Sequence, residues 1–104
     1  MDAKLNDLMC KLMEAAALLR DSKYNYLAES YETFCSKLAS GDFESQEFKN
    51  TLFAIRRSLA GMGSFSDVPL VPQQGPMTKQ QARERQYQLV QEIYEIIVAF
   101  NVHS

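Results

Sequence analysis

The sequence predicts an all-α fold, a small four-helix bundle with an antiparallel helical hairpin and a long irregular loop before the last helix. In four separate segments, apolar residues recur at steps of three and four, which is the spacing of a helix with one buried face. The segment 65–72 alternates apolar and polar residues but contains two prolines, which excludes a central strand. The length of 104 residues and the apolar fraction of 46% are typical of a single globular domain, here 1–104.

The first two predicted helices span about 3–20 and 23–39. A short polar break at residues 20–23 separates them, so they are expected to form the antiparallel hairpin. Gly41 closely follows the last apolar residue of the second helix, where a residue that ends a helix is expected. The apolar stripe of the hairpin consists of Leu5, Leu8, Leu12, Ala15, Leu19, Tyr24, Leu27, Tyr31, Phe34 and Leu38.

The third and fourth helices are predicted at about 43–59 and 79–100, with a loop over 61–77 between them. Asp42 is expected to begin the third helix, whose start is acidic and whose end is basic, a polarity that suits the helix dipole. Thr78 is a suitable N-cap for the fourth helix. The fourth helix has a wide apolar arc, which predicts that it is the most buried of the four.

The two cysteines, Cys10 and Cys35, form no C-x-x-C motif and have no histidine nearby, so metal binding is not expected. Cys10 lies twelve residues before Ser22 and Cys35 thirteen residues after it, which places the two thiols at similar heights in the hairpin. One interpretation makes both of them reduced core residues. The other makes them a redox latch, which requires facing Cβ atoms about 4 Å apart.

Composition and motifs argue against several classes of function. The net charge of −2, from 11 basic and 13 acidic residues, lacks the basic excess of a nucleic-acid binder. His103 is the only histidine and precedes the last residue, where little can orient it for catalysis. We therefore expect a protein that is not an enzyme and needs no metal and no cofactor. Acidic residues near the start and the lack of a run of about 20 apolar residues predict a cytoplasmic protein without a membrane partner.

Two sets of residues are candidates for contact with a macromolecular partner. The first set is acidic and would speed association with a basic partner. The second is the loop after the third helix, which combines polar and apolar side chains as binding surfaces do. An alternative is that the loop glycines end the helix while Phe65, Val68 and Leu70 fold back as a lid on the bundle. The acidic set is Glu29, Glu32, Asp42, Glu44 and Glu47, and the loop set is Met62, Ser64, Phe65, Ser66 and Asp67.

The segment 61–67, Gly-Met-Gly-Ser-Phe-Ser-Asp, resembles the signature of a small bacterial family of short, all-helical proteins. Members of this family carry a G-G-M-G-S-[FL]-[NS]-D loop after their third helix. The resemblance extends to residues 15–20 of the first helix and to the turn at 39–42, and it covers about two-thirds of the chain. This sequence departs from the pattern at Ala60, where the family has its first glycine, and at Ser66, where asparagine is common.

The resemblance implies a protein-binding function, because proteins similar to this family look like cognate immunity or accessory proteins encoded near bacterial toxins. We therefore expect an immunity protein that binds a toxin effector domain and neutralises it by occlusion. Two alternatives stay open. Surplus apolar residues such as Phe53, Tyr87 and Val98 favour a regulatory or structural homo-oligomer, with a homodimer as its simplest form. A pocket beneath the loop would instead favour a small ligand-binding bundle.

Overall fold

A computed structural model describes residues 3–59 and 64–102 of the chain. These residues contain no strand, and the predicted all-α four-helix bundle is confirmed. Within the same residues, no helix is long and apolar enough to cross a membrane. The helices are α1 (Ala3–Asp21), α2 (Asn25–Leu38), α3 (Gln46–Ser58) and α4 (Lys79–Val102).

The predicted antiparallel hairpin of α1 and α2 is present. Near the end of α1, Arg20 forms an ion pair of 2.6 Å with Glu32. In the first half of α1, the carbonyl oxygen of Met9 accepts a hydrogen bond of 3.6 Å from the thiol of Cys35, which is close to the end of α2. The other two helices complete the bundle, since α1 contacts α2 and α4 on its two sides and α3 contacts the same two helices.

The predicted apolar stripes face one continuous core. Tyr31 is a fully buried member of it, with its ring centroid 5.6 Å from that of Phe65. Its hydroxyl lies 3.0 Å from Oγ of Ser58, so the polar end of this buried ring is satisfied. The remaining core residues are Leu5, Leu8, Leu12, Ala15, Ala16, Leu19, Ala28, Cys35, Leu38, Phe48, Leu52, Ile55, Leu59, Leu70, Ala82, Leu89, Ile93 and Ile97.

The helix α3 is much shorter than α4, with 13 residues against 24. At 1.5 Å per residue, the two helices are about 20 Å and 36 Å long. The start of α3 lies beside the end of α4, because the ring centroid of Phe48 is 5.8 Å from that of Phe100. The two helices run antiparallel from this contact, and α3 ends after about 20 Å. Roughly the first half of α4 therefore has no part of α3 beside it.

Residues 64–71, which we call the strap, pack beside the first half of α4. Phe65 is 0% exposed and Leu70 is 6% exposed, so both belong to the core. The buried side-chain amide of Gln86 donates hydrogen bonds to the main-chain carbonyl oxygens of Phe65 and Val68, over 2.5 Å and 2.8 Å. The expectation that Phe65, Val68 and Leu70 fold back on the bundle is therefore confirmed.

The helix α2 begins at Asn25 rather than at residue 23, because Lys23 has a φ of 70° and lies in the left-handed region. The main-chain N–H of Tyr24 donates to the carbonyl oxygen of Leu19 at 2.8 Å, and that of Lys23 donates to Arg20 at 3.0 Å. This pair of bonds is the Schellman arrangement that ends a helix, and it usually has glycine at the left-handed position.

The expectation that Asp42 begins the third helix is wrong, since α3 begins at Gln46. Ser45 is the N-cap, and its Oγ accepts a hydrogen bond of 3.1 Å from the main-chain N–H of Phe48. Asp42 uses its carboxylate earlier, accepting a bond of 3.3 Å from the N–H of Glu44. Such a local side-chain bond holds a turn and competes with helix formation.

The helix α4 begins where the sequence predicts, but it is less buried than the sequence predicts. Oγ1 of Thr78 accepts a bond of 3.1 Å from the N–H of Gln81, and Oε1 of Gln81 accepts one of 2.9 Å from the N–H of Thr78. This reciprocal pair is a capping box. The expectation that α4 is the most buried helix is wrong, because five of its residues over 79–100 are buried, against six of the 19 residues of α1.

Candidate functional site

The acidic residues do not form one surface. Glu32 is ion-paired with Arg20 of α1, and Glu29 is exposed one turn earlier on α2. This end of α2 lies beside the end of α3, where Ser58 contacts Tyr31. Glu47 is eleven residues before Ser58, about 16 Å away along the helix axis. Asp42 and Glu44 precede Glu47, so the acidic set is divided between the two ends of the bundle.

The loop set is also divided. Ser64 is 8% exposed and Phe65 is 0% exposed, so neither side chain is available to a partner in this structure. Ser66 is half-buried and Asp67 is exposed, and both remain accessible on the strap. Met62 lies outside the described residues.

On the α1 side of α4, cations are paired with carboxylates. Arg85 donates from Nε to Oε2 of Glu14 at 2.5 Å and from Nη1 to Oε1 of Glu92 at 3.0 Å. Nζ of Lys11 is 3.3 Å from Oε2 of Glu92. The hydrogen bonds from Arg85 lower the pKa of Glu14, and in turn raise the pKa of Arg85. These interactions join α1 to α4 and leave little unbalanced charge.

On the other side of α4, arginines lie beside aromatic rings instead. The guanidinium of Arg56 in α3 is 5.6 Å from the ring centroid of Tyr94 in α4. Within α4, Arg83 is 5.5 Å from the ring centroid of Tyr87, and its Nε donates to the Tyr87 hydroxyl at 3.1 Å. Among residues 3–59 and 64–102, no ion pair joins either arginine to a carboxylate.

A third pair lies on α3, where the guanidinium of Arg57 is 5.8 Å from the ring centroid of Phe53. Phe53 is 59% exposed, and no ion pair within the described part of the chain involves Arg57. Cation–π contacts of this kind are worth about 0.5–1 kcal/mol at exposed sites. They hold the rings and the guanidinium groups in place while leaving both accessible.

Two of the pairs lie on one side of the molecule, and the third adjoins them on α3, where Phe53 is three residues before Arg56. Tyr87 and Tyr94 are seven residues apart, two helical turns, so they lie on the same face of α4 about 10 Å apart along the axis. The contact of Arg56 with Tyr94 joins this face to α3. We call this set the arginine–aromatic surface; it consists of Phe53, Arg56, Arg57, Arg83, Tyr87 and Tyr94.

Sequence reasoning missed this surface, although its signal was present. The wide apolar arc of α4 indicates more apolar surface than one core can cover. Phe53 lies off the stripe that contains Leu52 and Ile55, since each residue advances a helix by about 100°. The contact between Arg56 and Tyr94 joins two helices, so no local pattern in the sequence could reveal it.

A pocket of about 480 Å³ adjoins this surface, and we call it the strap pocket. Its walls come from the strap and from the first turns of α4. Lys79 and Arg83 bring positive charge to it, Asp67 brings negative charge, and Val68 and Tyr87 contribute apolar contacts. Because Arg83 and Tyr87 belong to both regions, the strap pocket and the arginine–aromatic surface are continuous.

The titratable side chains of the described residues are not clustered for metal binding. No group of three or more His, Cys, Asp and Glu side chains among them is arranged to hold a metal ion. Burial raises the pKa of Tyr31 to about 12, so its hydroxyl stays protonated near neutral pH. His103 lies outside the described residues.

The two cysteines have different environments. Cys35 is buried and Cys10 is exposed, and both thiols are free. Burial, together with smaller contributions from the nearby charges of Cys10 and Glu32, raises the pKa of Cys35 to about 11. The bond from Cys35 to the carbonyl oxygen of Met9 agrees with the expectation that the thiols lie at similar heights. The expectation that both are core residues is wrong for Cys10.

No protein-family model matches the chain. No curated protein and no solved structure matches it either.

Proposed function

We propose that the protein is a protein-binding module that contacts its partner through the arginine–aromatic surface. The supporting observation is that three arginines lie within 6 Å of aromatic ring centroids that remain exposed to solvent. Arginine and tyrosine are enriched among the residues that contribute most to protein–protein affinity. Because the rings and guanidinium groups already hold one another, less conformational entropy is lost when a partner binds.

A more specific form of the proposal is an immunity protein that binds a toxin effector domain in the cytoplasm and occludes it. The resemblance of the 61–67 loop to the bacterial family supports this form. The position of the strap supports it too, because Ser66 and Asp67 line the strap pocket beside the arginine–aromatic surface. The loop and the surface can therefore contact one partner together. The divided acidic set no longer provides the contact surface in this proposal.

A second copy of the chain is a weaker candidate for the partner. The exposed rings of Phe53 and Tyr87 would favour self-association. A two-fold interface, however, places the same patch of both copies face to face. The positive charges of the two patches, from Arg56, Arg57 and Arg83, would then be brought close together, and this like-charge repulsion opposes binding.

Affinity capture with matched variants tests the proposal. The tagged wild-type chain and the double variant Phe53→Ala with Tyr94→Ala are compared in extracts of cells that express the chain natively. Tyr26→Ala is the control, because Tyr26 is 83% exposed and lies on α2, which contributes no residue to the arginine–aromatic surface. All variants change exposed rings, and circular dichroism checks that each is folded.

We expect one stoichiometric partner, captured equally by the wild type and Tyr26→Ala and at least about tenfold less by the double variant. Equal capture by the double variant would show that the arginine–aromatic surface is not the contact. Recovery of only a second copy of the chain would replace the proposal with self-association. A toxin-like effector domain as the captured protein would support the immunity form.

A further inference from the structure

Three ion-paired cations of the bundle lie at α1, whereas four cations on α3 and α4 form no ion pair within the described part of the chain. Lys11, Arg20 and Arg85, which all contact α1 or belong to it, are each ion-paired with a carboxylate. Within the described part of the chain, Lys79 and the three arginines of the arginine–aromatic surface have no ion pair. This side of the molecule therefore presents four cationic side chains that no ion pair among the described residues occupies, although the whole chain has a net charge of −2.

We propose that the strap pocket and the arginine–aromatic surface together bind an acidic segment of the partner protein. Carboxylates of that segment pair with Lys79, Arg83, Arg56 and Arg57, and apolar side chains between them contact the exposed rings. This inference rests on the proposed function and specifies the chemistry of the partner. Its physical basis is charge complementarity, which guides association and sets the orientation of the bound segment.

The dimensions of the site set the length of the segment. Lys79 and Tyr94 are fifteen residues apart on α4, which corresponds to about 22 Å. A helix of about 15 residues or an extended chain of about 7 residues covers this distance. Asp67 is the acid among the described residues that line the strap pocket, so a carboxylate of the partner is expected on the Lys79 side, away from Asp67.

An acidic protein segment fits the site better than a nucleic acid. Exposed rings beside arginines also bind single-stranded nucleic acids, by base stacking and backbone charge. Nucleic-acid binders, however, usually have a basic excess over the whole domain, and this chain has 13 acidic residues against 11 basic ones. A nucleic acid is therefore treated as an alternative outcome of the test.

The test uses a display library of random peptides of about 15 residues, a length that covers the site in either conformation. Peptides selected on the wild-type chain are synthesised with a fluorescent label. Their affinities are measured by polarisation for the wild type, Lys79→Glu and the double variant Arg56→Glu with Arg57→Glu. Lys37→Glu is the charge-matched control, because Lys37 is exposed on α2 and no ion pair in the described part of the chain includes it.

We expect an excess of Asp and Glu over Lys and Arg in the selected peptides. Their binding should weaken about tenfold or more in Lys79→Glu and in the arginine double variant, and stay unchanged in Lys37→Glu. Affinity should also fall as salt rises from about 0.05 to 0.3 M, because the Debye length shortens over this range. The same library is screened on the double variant Phe53→Ala with Tyr94→Ala. This screen separates the proposed acidic segment from the proposed protein-binding function.

The possible outcomes distinguish the acidic segment from the broader function. Neutral or basic peptides that need Phe53 and Tyr94 but tolerate the charge reversals would overturn the acidic segment and keep the protein-binding surface. Peptides that bind all variants equally would contradict the proposal of an acidic segment. A selection that yields no peptides would contradict it too. A labelled single-stranded oligonucleotide is the second probe; submicromolar binding that Lys79→Glu abolishes would replace the protein segment with a nucleic acid.

Discussion

The side-chain amide of Gln86 donates a hydrogen bond of 2.5 Å to the main-chain carbonyl oxygen of Phe65. A second bond, of 2.8 Å, goes from the same nitrogen to the carbonyl oxygen of Val68. Both partners are acceptors, so the amide group must present its NH₂ end to the strap. Gln86 therefore attaches the strap to α4 at the place where α3 is too short to pack.

Replacing Gln86 with alanine should loosen the strap. Gln86→Ala removes both donors and leaves two carbonyl oxygens with unsatisfied hydrogen-bonding capacity, which should cost about 2–3 kcal/mol of unfolding free energy. Gln80→Ala is the control, since Gln80 is exposed on the same helix, and it should change stability by less than about 0.5 kcal/mol. Urea unfolding followed by circular dichroism measures both. Equal stability of the two variants would show that the strap does not depend on Gln86.

The left-handed residue between α1 and α2 gives a second prediction. Lys23 has a φ of 70°, which is strained for a residue with a Cβ atom. Lys23→Gly should therefore raise the unfolding free energy by about 0.5–1 kcal/mol, because glycine adopts this conformation without strain. Lys37→Gly removes the same side chain from the last turn of α2 and should instead lower stability by a similar amount. Thermal unfolding compares them; a loss of stability in Lys23→Gly would contradict the assigned turn.

The two thiols should differ strongly in reactivity. Because burial raises the pKa of Cys35 from 9.0 to about 11, its thiolate fraction near neutral pH is about 100-fold lower than that of an unperturbed thiol. A disulfide reagent should therefore label one thiol per chain quickly, and Cys10→Ser should abolish this fast phase. Cys35→Ser should retain it. Two fast phases in the wild type would show that Cys35 is accessible.

The same pKa shift predicts a loss of stability at alkaline pH. The folded state keeps the proton of Cys35 to a higher pH than the unfolded state, because the pKa is raised on folding. Its contribution to stability is complete below about pH 9 and is lost as pH rises towards about 11. Urea unfolding at about pH 8 and about pH 10 should show a smaller decline in stability for Cys35→Ala than for the wild type. An equal decline in both would assign the effect to other groups.

Local patterns in the sequence predict most of this fold. The three-and-four spacing places all four helices, and the cap at Thr78 positions the start of α4 within a residue. The start of α3 was harder, because Asp42 and Ser45 are both suitable caps and only Ser45 bonds to the helix, through the N–H of Phe48. Non-glycine residues seldom adopt a positive φ, so the conformation of Lys23 was not foreseen.

The candidate site was less predictable than the fold. The sequence showed five acidic residues, but the antiparallel packing of α2 and α3 separates Glu29 from Glu47. It also showed the rings of Phe53, Tyr87 and Tyr94 without showing which of them are exposed. The exposure of these rings depends on how far α3 extends along α4. This is a tertiary property, and the spacing of apolar residues along the chain does not predict it.

Photocrosslinking from α4 tests the protein-binding surface most directly. A photoreactive phenylalanine analogue replaces Tyr94 in one variant and Tyr26 in another, and both are irradiated in cells that express the chain natively. The proposed surface predicts one crosslinked protein from position 94 and none of that mass from position 26, because the two rings lie on α4 and α2. Crosslinking of the same protein from position 26 alone, or of no protein from position 94, would contradict the arginine–aromatic surface as the binding site.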